Sequence, residues 1–226
     1  MKKYRNLLFD LDMTLLDFEQ GEFNALKKAL APYNVEVTQE NHKVYSAINK
    51  SYWLLLEKGE LDKQELVKRR FPDFLKTIGR DDIDGIKLDR QYRDLLCEEA
   101  ILMDGAIETL EELKNDYSFY LITNGTDYIQ KSRIKKSGLD KYLSGVAISD
   151  EAHFPKPSKE FFDYFFAKFP VCADECLIIG DSLTSDILGG INYSIDTCLI
   201  SDEKPESDIQ PTYIIKSITS LIKLLK

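Results

Sequence analysis

Leu7-Leu8-Phe9-Asp10-Leu11-Asp12-Met13-Thr14 is the stretch on which the fold turns. A short apolar run ends abruptly in acid. In an extended chain alternate side chains share a face, so Asp10, Asp12 and Thr14 point one way while Leu11 points into protein. Two carboxylates and a hydroxyl then converge at the end of a strand, where their mutual repulsion is costly unless a cation sits among them. Taken alone, the same letters also describe a helix start with an acidic cap.

The same punctuation recurs downstream. Residues 119–122 lead to Thr123, 146–148 to Ser149, and 176–179 through Gly180 to Asp181, while 197–200 and 213–215 read as two further strands. Between them lie helical stretches at 127–137, closed by Gly138, at 159–168, rich in phenylalanine, and at 184–191. Strands alternating with helices predict an α/β fold with a mainly parallel sheet. Ligands of such sheets gather at the carboxyl ends of the strands, so the polar residues that end these runs belong together.

Residues 18–99 read differently. They carry no clear strand and fit amphipathic helices near 18–30, 39–58, 62–78 and 82–99, punctuated by Gly59, Pro72 and Gly79. Structureless loops rarely exceed about 15 residues, so this insert is expected to be a helical cap, with residues 1–17 and 100–226 forming the core.

Composition narrows the function. The 226 residues carry a formal net charge of −9, which repels a nucleic acid polymer but still admits a small anionic substrate where a metal and a lysine reverse the local field. Residues 1–9 are too short in apolar character for a signal-peptide core, and no run approaches the roughly 20 apolar residues of a membrane span. The four cysteines fit no disulfide or zinc framework, so the expected compartment is the cytoplasm.

Asp181 and Asp186, with Ser182 between them, bring further acid to a strand end. Magnesium prefers hard oxygen ligands and keeps several waters, so Asp10, Asp181 and the carbonyl oxygen of Asp12 are the expected ligands, with Asp186 orienting its neighbours. An N-capped helix is the alternative for this segment. At Thr123-Asn124-Gly125 a hydroxyl and backbone N–H groups open a helix, a setting suited to phosphate oxygens. Pro155-Lys156-Pro157 holds one ammonium on a stiff segment, since a proline pushes the residue before it toward an extended conformation.

In this order the motifs DLDMT (10–14), ITNG (122–125), Lys156 and GDSLTSD (180–186) resemble those of the haloacid dehalogenase superfamily, specifically its phosphatases. The resemblance spans the chain and implies a Rossmann-like core, a cap between the first and second motifs, and magnesium, with manganese in its place as an alternative. It further implies Asp10 as nucleophile, Asp12 as general acid and base, and Thr14, Thr123, Asn124 and Lys156 as phosphate-binding residues. Met13 departs from the pattern, standing where many members carry glycine.

The segment YSAINKSYWLLLEKGEL (45–61) looks like the cap of bacterial pyrimidine 5′-nucleotidases. Tyr45, Asn49 and Trp53 fall on one helical stripe, and Asn49 and Trp53 are the residues expected to stack on and read a base; packing against the next cap helix is the alternative. The implied substrate is a pyrimidine nucleoside monophosphate, handled by a monomer or small homo-oligomer with no membrane partner. A sugar-phosphate or phosphoglycolate phosphatase is the nearest rival, and a non-catalytic phospho-acceptor module the rival of another class. His42 and His153 are the two histidines; His153, three residues before Lys156, reads as a solvated loop histidine, with a place at the border of the site as the alternative.

Overall fold

The computed structural model describes residues 4–226. It divides into two compact units, the first running to Phe18 and resuming over Ala100–Lys226, the second comprising Glu19–Glu99.

The elements follow in chain order as β1 (Asn6–Phe9), α1 (Phe18–Leu30), α2 (Gln39–Glu57), α3 (Lys63–Thr77), α4 (Gly85–Leu96), α5 (Ala106–Leu113) and β2 (Ser118–Thr123). Then come α6 (Asp127–Ser137), β3 (Leu143–Ile148), α7 (Ser149–Ala152), α8 (Lys159–Lys168), β4 (Cys176–Gly180), α9 (Leu188–Asn192), β5 (Asp196–Ile200), β6 (Tyr213–Ile215) and α10 (Ser220–Leu225). The six strands form one sheet in the order β3-β2-β1-β4-β5-β6, and every pairing is parallel.

Alternation along β1 divides the core. Leu7 and Phe9 face a cluster with Leu121, Leu177 and Ile179 of the sheet and Leu110, Leu113 and Ile134 of α5 and α6. Leu8 faces the other side, with Ile122 and Ile178, against Phe161, Phe162 and Phe165 of α8. Each such side chain, once fully buried, contributes about 1.5–3 kcal/mol. Both sheet faces are covered, as parallel sheets require.

The helical unit has its own centre. Tyr45 lies 4.9 Å from Phe71, 5.3 Å from Phe74 and 5.4 Å from Tyr92, ring to ring. Its helices begin where acceptor side chains meet free N–H groups: Thr38 caps α2, Asp62 caps α3 and Asp84 caps α4. Beside the aromatic cluster runs a buried polar chain. Glu22 accepts from Asn49 Nδ2 at 2.8 Å, Arg70 donates to Asn49 Oδ1 at 3.1 Å, and Asp89 accepts from Arg70 at 2.7 Å and from Arg93 at 2.7 Å.

Several boundaries differ from the sequence expectation. The helix expected over 82–99 is confined to Gly85–Leu96, because Asp84 caps it and the chain turns after Cys97. Pro72 lies inside α3, as the helix expected over 62–78 required, and Gly85 packs so closely on its ring that a Cβ there would come within 2.7 Å. The helix expected over 184–191 opens as one wide π turn, Leu183–Ile187, before α9. Helix α5 was not anticipated.

Candidate active site

Asp10 follows β1 directly, and its N–H donates to the Ile179 carbonyl at 2.8 Å, extending the β1–β4 ladder by one residue. The backbone under the carboxylate is thereby fixed. Leu11 is fully buried, and the turn closes with Met13 N–H on the Leu16 carbonyl at 2.8 Å. Met13 takes φ = 61°, the left-handed region that favours glycine.

Lys156 reaches this point from the loop after α7. Its ammonium is 1% exposed and donates to Asp10 Oδ1 at 2.7 Å, Asp186 Oδ1 at 2.7 Å and the Ile122 carbonyl at 2.8 Å. An ammonium has three donors, and all three are used. Burial pulls the lysine's pKa down, but Asp10 and Asp186 outweigh it and hold the group protonated above its ordinary range. Asn124 fixes the other end of this side chain: its carboxamide accepts from Lys156 N–H at 2.7 Å and donates to the Lys156 carbonyl at 2.8 Å.

Asp186 is fully buried, with Oδ1 on Lys156 and Oδ2 accepting from Ser182 N–H at 3.1 Å. Gly180 makes room for it, since a Cβ there would fall 2.1 Å from Asp186 Oδ2. The helix-cap bond of this segment is made by Ser182, whose hydroxyl accepts from Ser185 N–H at 3.2 Å. Asp181 is therefore not needed as a cap.

Carboxylate oxygens of Asp10, Asp181 and Asp186 all lie within 4.8 Å of one another. Desolvation, with Asp186, Asp181 and Asp12 adding to it, raises the Asp10 pKa well above the carboxylate range despite Lys156. Asp181 is exposed as a residue, yet desolvation of its carboxyl against the neighbouring acids, then the charge of Asp186, pushes it up to about 7. Crowded acids carrying more negative charge than one ammonium can balance fit a hard divalent cation. With Asp186 engaged by Lys156 and Ser182, Asp10 and Asp181 would hold that ion, together with the Asp12 carbonyl.

The Asp12 side chain is gripped elsewhere. Arg133 Nη1 donates to its Oδ1 at 2.6 Å and Gln130 Nε2 to its Oδ2 at 2.9 Å. Gln130 Nε2 also donates to Thr123 Oγ1 at 3.0 Å. Thr14 is 1% exposed, and its hydroxyl has no hydrogen-bond partner among the described residues. Asp10, Asp12, Thr14, Thr123, Asn124, Lys156, Asp181 and Asp186 all belong to the sheet unit. Asn49 and Trp53 belong to the helical unit, where Asn49 is 3% exposed between Glu22 and Arg70, and Trp53 is half-buried with the Lys63 ammonium 5.9 Å from its ring.

Gln130 and Arg133 are the site residues that sequence reasoning missed. Both sit on the inward stripe of α6 beside Ile129 and Ile134. That placement was the available signal, because polar residues three apart beside two apolar ones face the core together.

The profile of the haloacid dehalogenase-like hydrolases matches residues 7–200. Over its whole length the chain is 39% identical to YfnB of Bacillus subtilis, which carries a HAD-hydrolase name, covering 97% of that protein. It is 37% identical to the pyrimidine 5′-nucleotidase PynA of Streptococcus pneumoniae, over 98% of this chain and 95% of that one, and 30% identical to the pyrimidine 5′-nucleotidase YjjG of Escherichia coli, over 99% and 98%. The crystal structure of YfnB bound to magnesium superposes with a TM-score of 0.93 at 38% identity, covering both chains completely. No helix among the described residues is long and apolar enough to cross a membrane.

Proposed function

The chain belongs to the haloacid dehalogenase-like hydrolases, and on that footing we propose that it is a magnesium-dependent phosphatase of pyrimidine nucleoside 5′-monophosphates, working through an aspartyl-phosphate on Asp10. The observation that carries the reading is Lys156, which holds Asp10 at 2.7 Å within a cluster of acids at the strand ends. The full-length similarity to two pyrimidine 5′-nucleotidases supports the substrate class.

A cation held by Asp10, Asp181 and the Asp12 carbonyl would supply neutralisation of the phosphate charge; the remaining work falls to side chains. Lys156 lowers the field that an anionic ester meets as it approaches Asp10. An Asp10 oxygen attacks phosphorus in line as the bond to the ester oxygen breaks. Asp12 gives its proton to that departing oxygen, then takes one from the water that attacks phosphorus and frees Asp10. Thr14, Thr123 and the backbone at Asn124 hold the phosphoryl oxygens as charge moves.

Phosphate release from a panel of nucleoside monophosphates and sugar phosphates, with and without magnesium, tests this. Uridylate and thymidylate are expected to lead, with turnover lost in chelator. Asp10→Asn is expected to abolish turnover while leaving the melting transition in place. Equal rates on sugar phosphates would remove the nucleotidase assignment, and near-normal activity of Asp10→Asn would remove the nucleophile.

A further inference from the structure

We propose that Gln130 and Arg133 are positioning residues, a paired clamp on α6 that sets the orientation of the Asp12 carboxylate; this rests on the phosphatase reading above. Asp12 stands in a loop, on a side chain with two rotatable bonds. A proton passes between it and the ester oxygen only along a narrow range of directions, so something must fix those torsions.

The clamp uses every polar atom of Gln130. Its two N–H donors go to Asp12 Oδ2 at 2.9 Å and Thr123 Oγ1 at 3.0 Å, and its carbonyl accepts from Arg133 Nη1 at 3.0 Å. The same Arg133 nitrogen donates to the other Asp12 oxygen at 2.6 Å. Both carboxylate oxygens are thus tied to one helix, one turn apart in sequence. Because Gln130 takes a lone pair of the Thr123 hydroxyl, the proton of that hydroxyl is turned away from α6. One amide therefore sets both a proton-transfer group and a phosphate-binding donor.

Two further features are committed to this arrangement. Gly125 is a glycine for space: a Cβ there would lie 2.5 Å from Gln130 Cγ and 2.5 Å from Nε2. The guanidinium of Arg133 is 1% exposed and lies 5.5 Å from the centre of the Phe18 ring. Burying a guanidinium is costly, and apolar residues of similar volume usually hold a helix to a sheet as well or better. A purely structural tie would not call for it.

The proton balance supplies the test. In the first half-reaction the Asp12 proton goes to the leaving oxygen as the phosphorus–oxygen bond breaks. An alkoxide leaving group, as in thymidine 5′-monophosphate, needs that proton, whereas the p-nitrophenolate of p-nitrophenyl phosphate departs without it. First-turnover release of nucleoside and of nitrophenolate would be measured by rapid quench with magnesium for wild type, Gln130→Met, Arg133→Met and Asp12→Asn. Each clamp variant is expected to lose about tenfold more rate on the alkyl ester than on the aryl ester, in the same sense as Asp12→Asn. Arg133→Lys, which keeps the charge but not the fork, is expected to recover part of the loss.

Equal losses on both esters, or no loss on either, overturn the clamp while leaving the phosphatase reading intact. A wild type that releases neither leaving group overturns that reading and the clamp with it. If Arg133→Met fails to melt cooperatively, Gln130→Met and Arg133→Lys decide the matter, since each keeps the buried volume.

Discussion

Lys156 is the most constrained side chain of the site. Its ammonium bridges Asp10 and Asp186 in a place that water scarcely reaches. Removing one partner of a buried pair leaves uncompensated charge, at a cost of about 3–5 kcal/mol. Lys156→Met is therefore expected to lower the urea midpoint strongly as well as stop turnover, and a midpoint like that of wild type would show that the lysine has no part in holding the acids. Met13 invites the opposite substitution. A non-glycine residue in the left-handed region costs roughly 1–2 kcal/mol, of which glycine's greater freedom in the unfolded chain takes back part. Met13→Gly is expected to stabilise by up to about 1 kcal/mol, read as a higher urea midpoint; a lower midpoint would mean that the Met13 side chain packs favourably. At this scale the sequence was legible where chemistry is local. The acids and the lysine of the core motifs stand out because charged residues closing apolar runs are conspicuous. The partner of Asp12 lies 121 positions away in sequence, at Arg133, and no periodicity joins the two.

Among the elements, α6 and the helices of the inserted unit show why polar residues were harder to read than apolar ones. The pattern of the insert predicts four helices, and four are found within a few residues of their expected bounds, because tyrosine, phenylalanine and leucine mark one face plainly. The charge chain running through that face leaves no such mark. Glu22, Arg70 and Asp89 are buried residues whose types ordinarily signal solvent, and only folding reveals that they satisfy one another. Arg70 is the centre of this chain, bound to Asp89 and Asn49 and lying 5.2 Å from the Tyr92 ring. Arg70→Met is expected to destabilise by about 3 kcal/mol, because Asp89 loses one of two cations in a dry site. Chemical denaturation followed by circular dichroism would show it. The wide turn at Leu183–Ile187 escaped the sequence for a related reason: it accommodates Asp186 beneath Gly180, a contact between side chain and backbone that no period encodes.

For the molecule as a whole, the crowding of acids sets how stability responds to pH. A carboxyl whose folded pKa lies above its unfolded value near 4 weakens the fold once it ionises. The penalty is absent below about pH 4 and complete above about pH 7, the value to which Asp181 is pushed. The metal-free protein is therefore expected to melt higher as pH falls from 7 to 5, by a few degrees after allowance for solvent screening. Magnesium should raise the melting temperature more at pH 8 than at pH 5, since it competes with protons for the same oxygens. A metal-induced shift independent of pH would contradict the placing of the ion at these acids. The sheet order carries a last consequence, for biosynthesis. The four residues of β1 are made before both their neighbours, β2, beginning at Ser118, and β4, beginning at Cys176. That oily segment must wait until Cys176–Gly180 has been made before both its neighbours exist, and the nascent chain stays exposed to chaperones and proteases in the interval.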